Sequence, residues 1–173
     1  PERVLLCGRI PLPPYIERSP EEIDESMYQT VYARHEGSVA APTAGLHFTP
    51  EFLERLRSKG VETAFVTLHV GPGTFVPVKT ENIEDHRMHP EDFSVTEEAA
   101  LIINRAMEEG RRIVAVGTTT TRVLEHLMVR YGRIVPGAGS TNLFIFEGFR
   151  FRIVGALLTN FHLPCSTLLM LVS

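Results

Sequence analysis

The chain has 173 residues, of which 43% are apolar and 22% are charged. These proportions are typical of a globular protein, and they exclude an intrinsically disordered chain, a collagen-like chain and a coiled coil. Seventeen Lys and Arg residues against 21 Asp and Glu residues give a net charge of −4. A generic basic coat for nucleic acid is therefore excluded, although a local basic patch is compatible with this balance.

Four helices are predicted from capping residues that precede apolar positions at helical spacing. The first is marked by Ser19-Pro20, with Ile23, Met27 and Val31 expected on one buried face, and the second by Thr49-Pro50, with Phe52, Leu53 and Leu56 expected inward. The predicted helices cover 20–33, 49–60, 96–110 and 120–129. A further run with helical spacing, 167–172, has no capping residue at its end.

Apolar runs typical of strands alternate with these helices and predict a layered α/β domain with a mixed sheet over residues 1–173. The predicted strands are 64–70, 113–116, 143–146 and 153–158. The chain starts with Pro1 and ends in the uncapped helical run, so we expect it to be a piece of a longer chain whose last helix continues beyond Ser173.

The cysteine spacing and the hydropathy pattern favour a cytoplasmic protein. Cys7 and Cys165 are far apart and form no C-x-x-C pair, so neither a disulfide framework nor a structural zinc site is indicated. The most apolar stretch, 154–173, contains Asn160, His162 and Pro164 and is expected to be a core segment rather than a membrane span. We therefore expect a reducing cytosol and no membrane partner.

Four loops at the ends of predicted strands are rich in small and polar residues. In open α/β sheets, ligands bind outside the carboxyl ends of the strands, so such loops are where a site is expected. Turn formation explains any one of them, but four together favour a site. The loops are 41–48, 67–75, 117–122 and 158–166.

The loop 117–122 joins a strand to a helix, and its free backbone N–H groups and hydroxyls suit an anion or a carboxylate. Its glycine spacing is that of neither a P-loop nor G-x-G-x-x-G, so no nucleotide fingerprint is present. The alternative is an ordinary threonine N-cap.

Three histidines lie in glycine- or proline-bounded loops, where an imidazole suits proton transfer near neutral pH: His47, His69 and His162. His86 and His89 can in principle form a metal site with Glu91, but Pro90 and the spacing disfavour it. His35 and His126 are predicted to be surface residues. A nucleophilic role for Cys165 is less favoured, since no paired base is identifiable.

Read together and in order, the loops resemble the motifs of the S-adenosylmethionine:tRNA ribosyltransferase-isomerase family of queuosine biosynthesis. The resemblance implies a cytoplasmic tRNA-modifying enzyme with an α/β base domain and a smaller β-barrel domain, most of which would precede Pro1. The matching segments are 8–16, 28–33, 37–48, 66–75, 86–89, 115–118 and 158–164. Two departures are Gly155, where the family usually has Asp, and the turn 147–149, where it has Pro-Gly-aromatic. A role for that acid cannot be carried over.

The implied reaction transfers the ribosyl portion of S-adenosylmethionine to the aminomethyl group of 7-aminomethyl-7-deazaguanine at the tRNA wobble position. The ribosyl group is isomerised to an epoxycyclopentanediol, and adenine and methionine leave. The reaction needs a base at C5′, loss of a proton from the aminomethyl ammonium and an acid for the departing adenine. The expected catalytic residues are His47, His69 and His162, with no assignment among them and no metal.

The resemblance also implies residues that contact the substrates. The carboxylate of S-adenosylmethionine is expected at the helix start 118–122 and its adenine against Phe48 or Phe75. The predicted substrate-binding residues are Thr43, Gly45, Gly71, Gly73, Thr74, His86, His89, Thr118, Thr119, Arg122 and Asn160.

The expected partners are tRNA and S-adenosylmethionine, bound by a monomer. The tRNA backbone requires cations, and six arginines are available to supply them. About half of these arginines are expected to be ordinary solvated residues with no role in binding. The candidates are Arg111, Arg112, Arg130, Arg133, Arg150 and Arg152. Two alternatives stay open, a metal-dependent hydrolase using His86, His89 and Glu91, and a non-catalytic RNA-binding module.

Overall fold

The computed structural model describes residues 10–13, 16–71, 80 and 82–173. The helices are α1 (Asp24–Met27), α2 (Pro50–Ser58), α3 (Glu97–Glu108), α4 (Thr118–Tyr131) and α5 (Thr167–Val172). The strands are β1 (Val66–His69), β2 (Glu91–Val95), β3 (Val114–Val116), β4 (Gly137–Thr141) and β5 (Ala156–Leu158). Short 3₁₀ helices cover Thr43–His47 and Ile83–Asp85. The predicted α/β class is confirmed.

The described strands form two sheets of different type. In the first, β2 lies between β1 and β4 and pairs with both in antiparallel orientation, with Phe93 opposite Leu68 on one side and Gly139 on the other. In the second, β3 and β5 are parallel, with Val116 opposite Leu158. The parallel pairing places the carboxyl ends of β3 and β5 side by side, which is the location that open α/β sheets use for ligands.

The core lies where α3 and α4 pack their apolar faces against the antiparallel sheet. Its centre comprises side chains such as Val95, Ile103, Val123, Leu127 and Ile134, all of them buried. Full burial of one such side chain contributes about 1.5–3 kcal/mol, so this cluster is the main source of stability in the described part of the chain.

The predicted helix starts and stops are largely confirmed for α2, α3 and α4. The Thr96 hydroxyl accepts a hydrogen bond from the Ala99 N–H at 3.1 Å, and Gly110 follows α3 with a φ of +66°. The Thr49 hydroxyl caps α2 in the same way. The prediction that Phe52 points inward is wrong, since its exposed ring packs on the neighbouring Phe48 ring at 5.5 Å.

The prediction of a first helix over 20–33 is wrong, because α1 has only four residues and Ile23, Met27 and Val31 are all exposed. A local polar network decides this segment instead. The buried Asp24 carboxylate accepts hydrogen bonds from the Arg18 guanidinium at 2.7 Å and from the Glu21 N–H at 2.8 Å. The Arg18 hydrogen bond lowers the pKa of Asp24 to about 2. Without a packing partner for its apolar face, a longer helix gains little.

The strand predictions are confirmed for β1, β3 and β5 but wrong for 143–146, which forms no strand. There the Leu143 carbonyl accepts from the Arg122 guanidinium at 2.9 Å, and the Phe144 and Phe146 rings pack on each other. The adjacent strand is β4, whose Gly139 lies against the Phe93 ring so closely that an added Cβ would come 2.8 Å from it.

The C-terminal run forms α5 as predicted, with the Ser166 hydroxyl accepting from the Leu169 N–H at 3.2 Å. Its continuation beyond Ser173 stays a prediction. Among the described residues, no helix has both the length and the hydropathy needed to cross a membrane.

The buried carboxylate of Glu125 joins α4 to the segment that enters β5. Glu125 is fully buried, and its two oxygens accept hydrogen bonds from the backbone N–H groups of Arg152, Ile153 and Val154 at 2.8–3.1 Å. These bonds set the position from which β5 pairs with β3.

Because an amide offers only one acceptor oxygen and presents an NH₂ group to these donors, Glu125→Gln is expected to lower the free energy of unfolding by about 1–3 kcal/mol. Thermal or denaturant unfolding measures this loss. Glu108→Gln, on the exposed side of α3, is the matched control and should change stability little. Equal stability of both variants would show that the Glu125 hydrogen bonds contribute nothing net.

Candidate functional site

Backbone hydrogen bonding brings two of the four predicted loops together at the ends of β3 and β5. The Gly117 N–H donates to the Leu158 carbonyl at 2.9 Å, which extends the parallel pairing by one residue. Gly117 has a φ of +91°, a conformation that favours glycine, and this turn starts α4 directly. The first turn of α4 therefore lies next to Thr159 and Asn160.

A side-chain contact joins a third loop to this pair. The His47 Nε2 atom lies 2.8 Å from the Asn160 Oδ1 atom, although the two residues are 113 positions apart in the sequence. His47 is exposed and forms the last residue of the 3₁₀ helix Thr43–His47. Two residues predicted as site residues are thus in direct contact.

The 3₁₀ helix packs closely on Tyr32 and Thr30, and this packing is possible because Gly45 has no side chain. A Cβ atom at Gly45 would overlap the Tyr32 hydroxyl and would come 2.8 Å from the Thr30 Cγ2 atom. The Tyr32 ring packs in turn on Phe65, with centroids 5.3 Å apart, and burial raises the pKa of its hydroxyl. Gly45 is buried by this packing, whereas Thr43 is half-buried at the start of the helix.

The end of β1 forms a separate part of the candidate site. His69 is the last residue of β1, and its ring lies so close to Gly37 that an added Cβ there would be 3.1 Å from Nδ1. The Ser38 hydroxyl accepts from the Val70 N–H at 2.9 Å. Gly71 is half-buried beyond it, while Gly73, Thr74 and Phe75 lie outside the described residues, as does Cys7. The described contacts do not join His69 to His47.

His162 is held within its own loop. Its Nε2 atom lies 3.1 Å from the Thr159 hydroxyl, and burial lowers the pKa of the imidazole. The lowered pKa favours the neutral ring at neutral pH. The intervening Phe161 is fully exposed, although an apolar ring gives no polar signal in the sequence that would mark it as a site residue.

The first turn of α4 is free of any side-chain cap. The N-cap residue is Gly117, and no side chain of the described residues accepts from the N–H groups at this end. Thr118 is buried and Thr119 half-buried, while the Thr121 hydroxyl donates to the Gly117 carbonyl at 3.2 Å. The alternative of an ordinary threonine N-cap is therefore wrong, and the helix start retains donors for an anion.

Arg122, predicted as a substrate contact, lies in the interior. It is 2% exposed, its Nη1 atom donates to Glu91 at 2.8 Å, and its Nε atom donates to the Leu143 carbonyl. Burial lowers its pKa, and the charge of Glu91 opposes this shift. These contacts give Arg122 a structural role in joining α4 to β2, and a direct contact with substrate stays an untested prediction.

Two of the three residues considered for a metal site make other contacts in the structure. Glu91 is buried and paired with Arg122, His86 packs on the Phe144 ring at 5.1 Å, and His89 is exposed. Over the described ranges, no three His, Cys, Asp or Glu side chains are grouped as metal ligands. The hydrolase alternative therefore receives no support from this cluster.

Two other predictions concern single side chains. His35 is exposed, as expected, but His126 is half-buried with its ring 6.0 Å from that of Phe93. Burial, and then the charge of Arg130, lowers the pKa of His126. Cys165 is exposed and has a φ of +56°.

Among the six candidate arginines for a tRNA backbone, Arg111 is already neutralised by Glu62 at 2.5 Å and Glu109 at 2.6 Å. Arg130 places its guanidinium over the Tyr131 ring. The other four are exposed and have no ion pair within the described ranges: Arg112, Arg133, Arg150 and Arg152.

Comparisons with known proteins identify relatives of this chain. The model of a family described as queuosine biosynthesis protein matches residues 2–173. A protein of Syntrophotalea carbinolica named S-adenosylmethionine:tRNA ribosyltransferase-isomerase is 60% identical over 166 residues, which is 96% of this chain and 48% of that protein. A protein of Geotalea uraniireducens with the same name is 54% identical over 172 residues, which is 99% of this chain and 50% of that protein.

The described fold also resembles a solved structure. A crystal structure of an S-adenosylmethionine tRNA ribosyltransferase from Thermotoga maritima matches with a TM-score of 0.59 and 47% identity, covering 75% of this chain and 40% of that one. The chain spans about half the length of the curated relatives it matches.

Because the Gly45 position has no space for a methyl group, Gly45→Ala is expected to lower the free energy of unfolding by about 1–3 kcal/mol through overpacking against Tyr32 and Thr30. Thermal unfolding is the measurement. Gly71→Ala is the matched control, since a Cβ at Gly71 meets no described atom within 4 Å. An unchanged melting temperature for Gly45→Ala would contradict the proposed packing of the 3₁₀ helix.

Proposed function

Because the chain belongs to the family of queuosine biosynthesis proteins, we propose that the protein transfers the ribosyl portion of S-adenosylmethionine to 7-aminomethyl-7-deazaguanine at the wobble position of tRNA. The ribosyl group is isomerised to an epoxycyclopentanediol, and adenine and methionine are released. The observation that carries the proposal is the contact between His47 and Asn160 beside the uncapped start of α4. This arrangement combines a proton-transfer group with an anion-binding helix end at one edge of a parallel sheet.

The reaction requires three proton transfers for which imidazoles are suited. The sulfonium acidifies the C5′ hydrogens of the ribosyl group, the aminomethyl ammonium must lose a proton before it attacks, and adenine leaves more readily when protonated. His47 is exposed at the site, and His162 has a lowered pKa that favours its neutral, proton-accepting form. His69 is the third candidate, at the end of β1.

The start of α4 offers a place for the carboxylate of S-adenosylmethionine. The backbone N–H groups of Thr118 and Thr119 lie in the first turn, where the helix dipole favours negative charge. In the same proposal, the adenine ring lies against Phe48, which follows His47 directly and already packs on Phe52.

The tRNA backbone is proposed to bind four exposed arginines whose guanidinium groups have no ion pair among the described residues: Arg112, Arg133, Arg150 and Arg152. Neutralisation of phosphates by such groups makes binding strongly dependent on salt. We also propose that the protein acts as a monomer in the cytoplasm, where both tRNA and S-adenosylmethionine are present.

If His47 and His69 transfer protons, replacing either by Ala should lower turnover about 100-fold, since a positioned acid or base contributes on the order of 10²–10⁴-fold. The measurement is release of adenine from S-adenosylmethionine in the presence of tRNA bearing the deazaguanine precursor. His35→Ala, at an exposed histidine outside the site, is the control and should retain wild-type turnover. Wild-type turnover of both His47→Ala and His69→Ala would refute their proposed roles, and absence of adenine release from the wild-type protein would favour an RNA-binding module.

The sulfonium already supplies electrophilic activation, so adenine release is expected to survive exhaustive chelation. The Glu91 carboxylate is paired with Arg122 in the interior. Loss of activity on chelation, with rescue by one added metal ion, would contradict this and restore the hydrolase alternative.

A further inference from the structure

The contact between His47 and Asn160 has a defined direction. In the structure the Asn160 Oδ1 atom faces the His47 Nε2 atom at 2.8 Å. An amide oxygen accepts hydrogen bonds and cannot donate them, so in this amide orientation Nε2 carries the hydrogen. In the neutral imidazole only one nitrogen is protonated, and the other is then the proton acceptor. The structure therefore assigns the basic position of neutral His47 to Nδ1.

We propose that Asn160 is a positioning residue that fixes the tautomer of His47, so that His47 exchanges its proton through Nδ1. This inference rests on the proposed function, because it takes His47 as a proton-transfer group. It also changes the role of Asn160, which sequence analysis placed among the substrate contacts. In the structure the Asn160 oxygen accepts a hydrogen bond from the imidazole.

The hydrogen bond is compatible with both protonation states of the ring. When Nδ1 takes a proton from the substrate, its lone pair forms the new N–H bond and the ring becomes imidazolium, which still donates from Nε2. When Nδ1 gives the proton to a leaving group, the neutral Nε2–H tautomer is restored. Asn160 keeps the ring in place throughout, and no side-chain rotation is required.

The surroundings leave Nδ1 available. His47 is exposed, and no described residue makes a hydrogen bond to Nδ1 or places a carboxylate within ion-pair distance of the ring. In the neighbouring loop 158–166, the His162 ring is hydrogen-bonded to Thr159, and Cys165 is exposed. The partner that orients His47 is thus an uncharged amide.

Both partners are held by structure outside the contact. Asn160 follows β5, where the Leu158 carbonyl accepts from the Gly117 N–H. His47 ends the 3₁₀ helix that packs through Gly45 on Tyr32. A fixed orientation of the base is what proton transfer in a preorganised site requires.

The first test is ¹⁵N NMR of histidine-labelled protein, with the His47 ring assigned by its loss in His47→Gln. At a pH where the ring is neutral, the spectrum should show the proton on Nε2 and an unprotonated Nδ1. A neutral ring protonated on Nδ1 would overturn the inference whatever the activity, because Asn160 would then donate to His47 rather than accept from it.

The second test is kinetic, with adenine release as readout. Asn160→Leu should lower kcat about 10-fold or more while KM for S-adenosylmethionine stays within about 2-fold, since binding of the substrate is not affected. Asn160→Asp keeps the acceptor and adds a negative charge, so the acidic limb of the kcat profile should move up by about 1 pH unit. Asn142→Leu, at an exposed asparagine, is the matched control.

A rise in KM with unchanged kcat for Asn160→Leu would overturn the inference in favour of a direct substrate contact. If Asn160→Leu does not fold, Asn160→Asp and the NMR measurement on the wild-type protein still decide the question. If His47→Ala retains full turnover while the ring is protonated on Nε2, the proposed catalytic role of His47 fails and the hydrogen-bond assignment stands.

Discussion

The candidate site depends on the parallel pairing of β3 with β5, because this pairing brings the start of α4 next to the segment that carries Asn160. Neither element can form the site alone. The register of the pairing is stabilised by Glu125, whose buried carboxylate accepts hydrogen bonds from three backbone N–H groups just before β5. A shift of β5 by one residue would exchange the faces of its side chains and separate Asn160 from His47.

Helix α4 carries the buried polar groups that organise the described part of the chain. Glu125 fixes the entry to β5, while Arg122 joins β2 and the Leu143 carbonyl. Removing one partner of a buried ion pair typically costs about 3–5 kcal/mol, because the other charge is left buried and uncompensated. Arg122 and Glu125 act through their side chains, whereas the uncapped first turn offers backbone N–H groups. The groups that maintain the fold and those proposed to bind a ligand are therefore different.

The sequence predicted the features that arise from local capping and periodicity, and missed those decided by tertiary contacts. Thr96 and Gly110 marked α3 well because both act through the adjacent backbone. Strand β2 was missed because Glu91 occupies a buried position that only its pairing with Arg122 explains. Strand β4 contains little apolar surface, and its fit depends on Gly139 against Phe93. His47 and Asn160 were both identified, but their contact over 113 positions is a property of the fold.

Hydrogen–deuterium exchange with saturating S-adenosylmethionine tests most directly whether the loops at the ends of β3 and β5 form one site. Slower exchange should appear together at 43–48, at the start of α4 and at 158–162, because a ligand that accepts from the Thr118 and Thr119 N–H groups also covers the neighbouring loops. The α3 helix, on the core side, should show no local change. Protection confined to another part of the protein, with none in these three segments, would contradict the account.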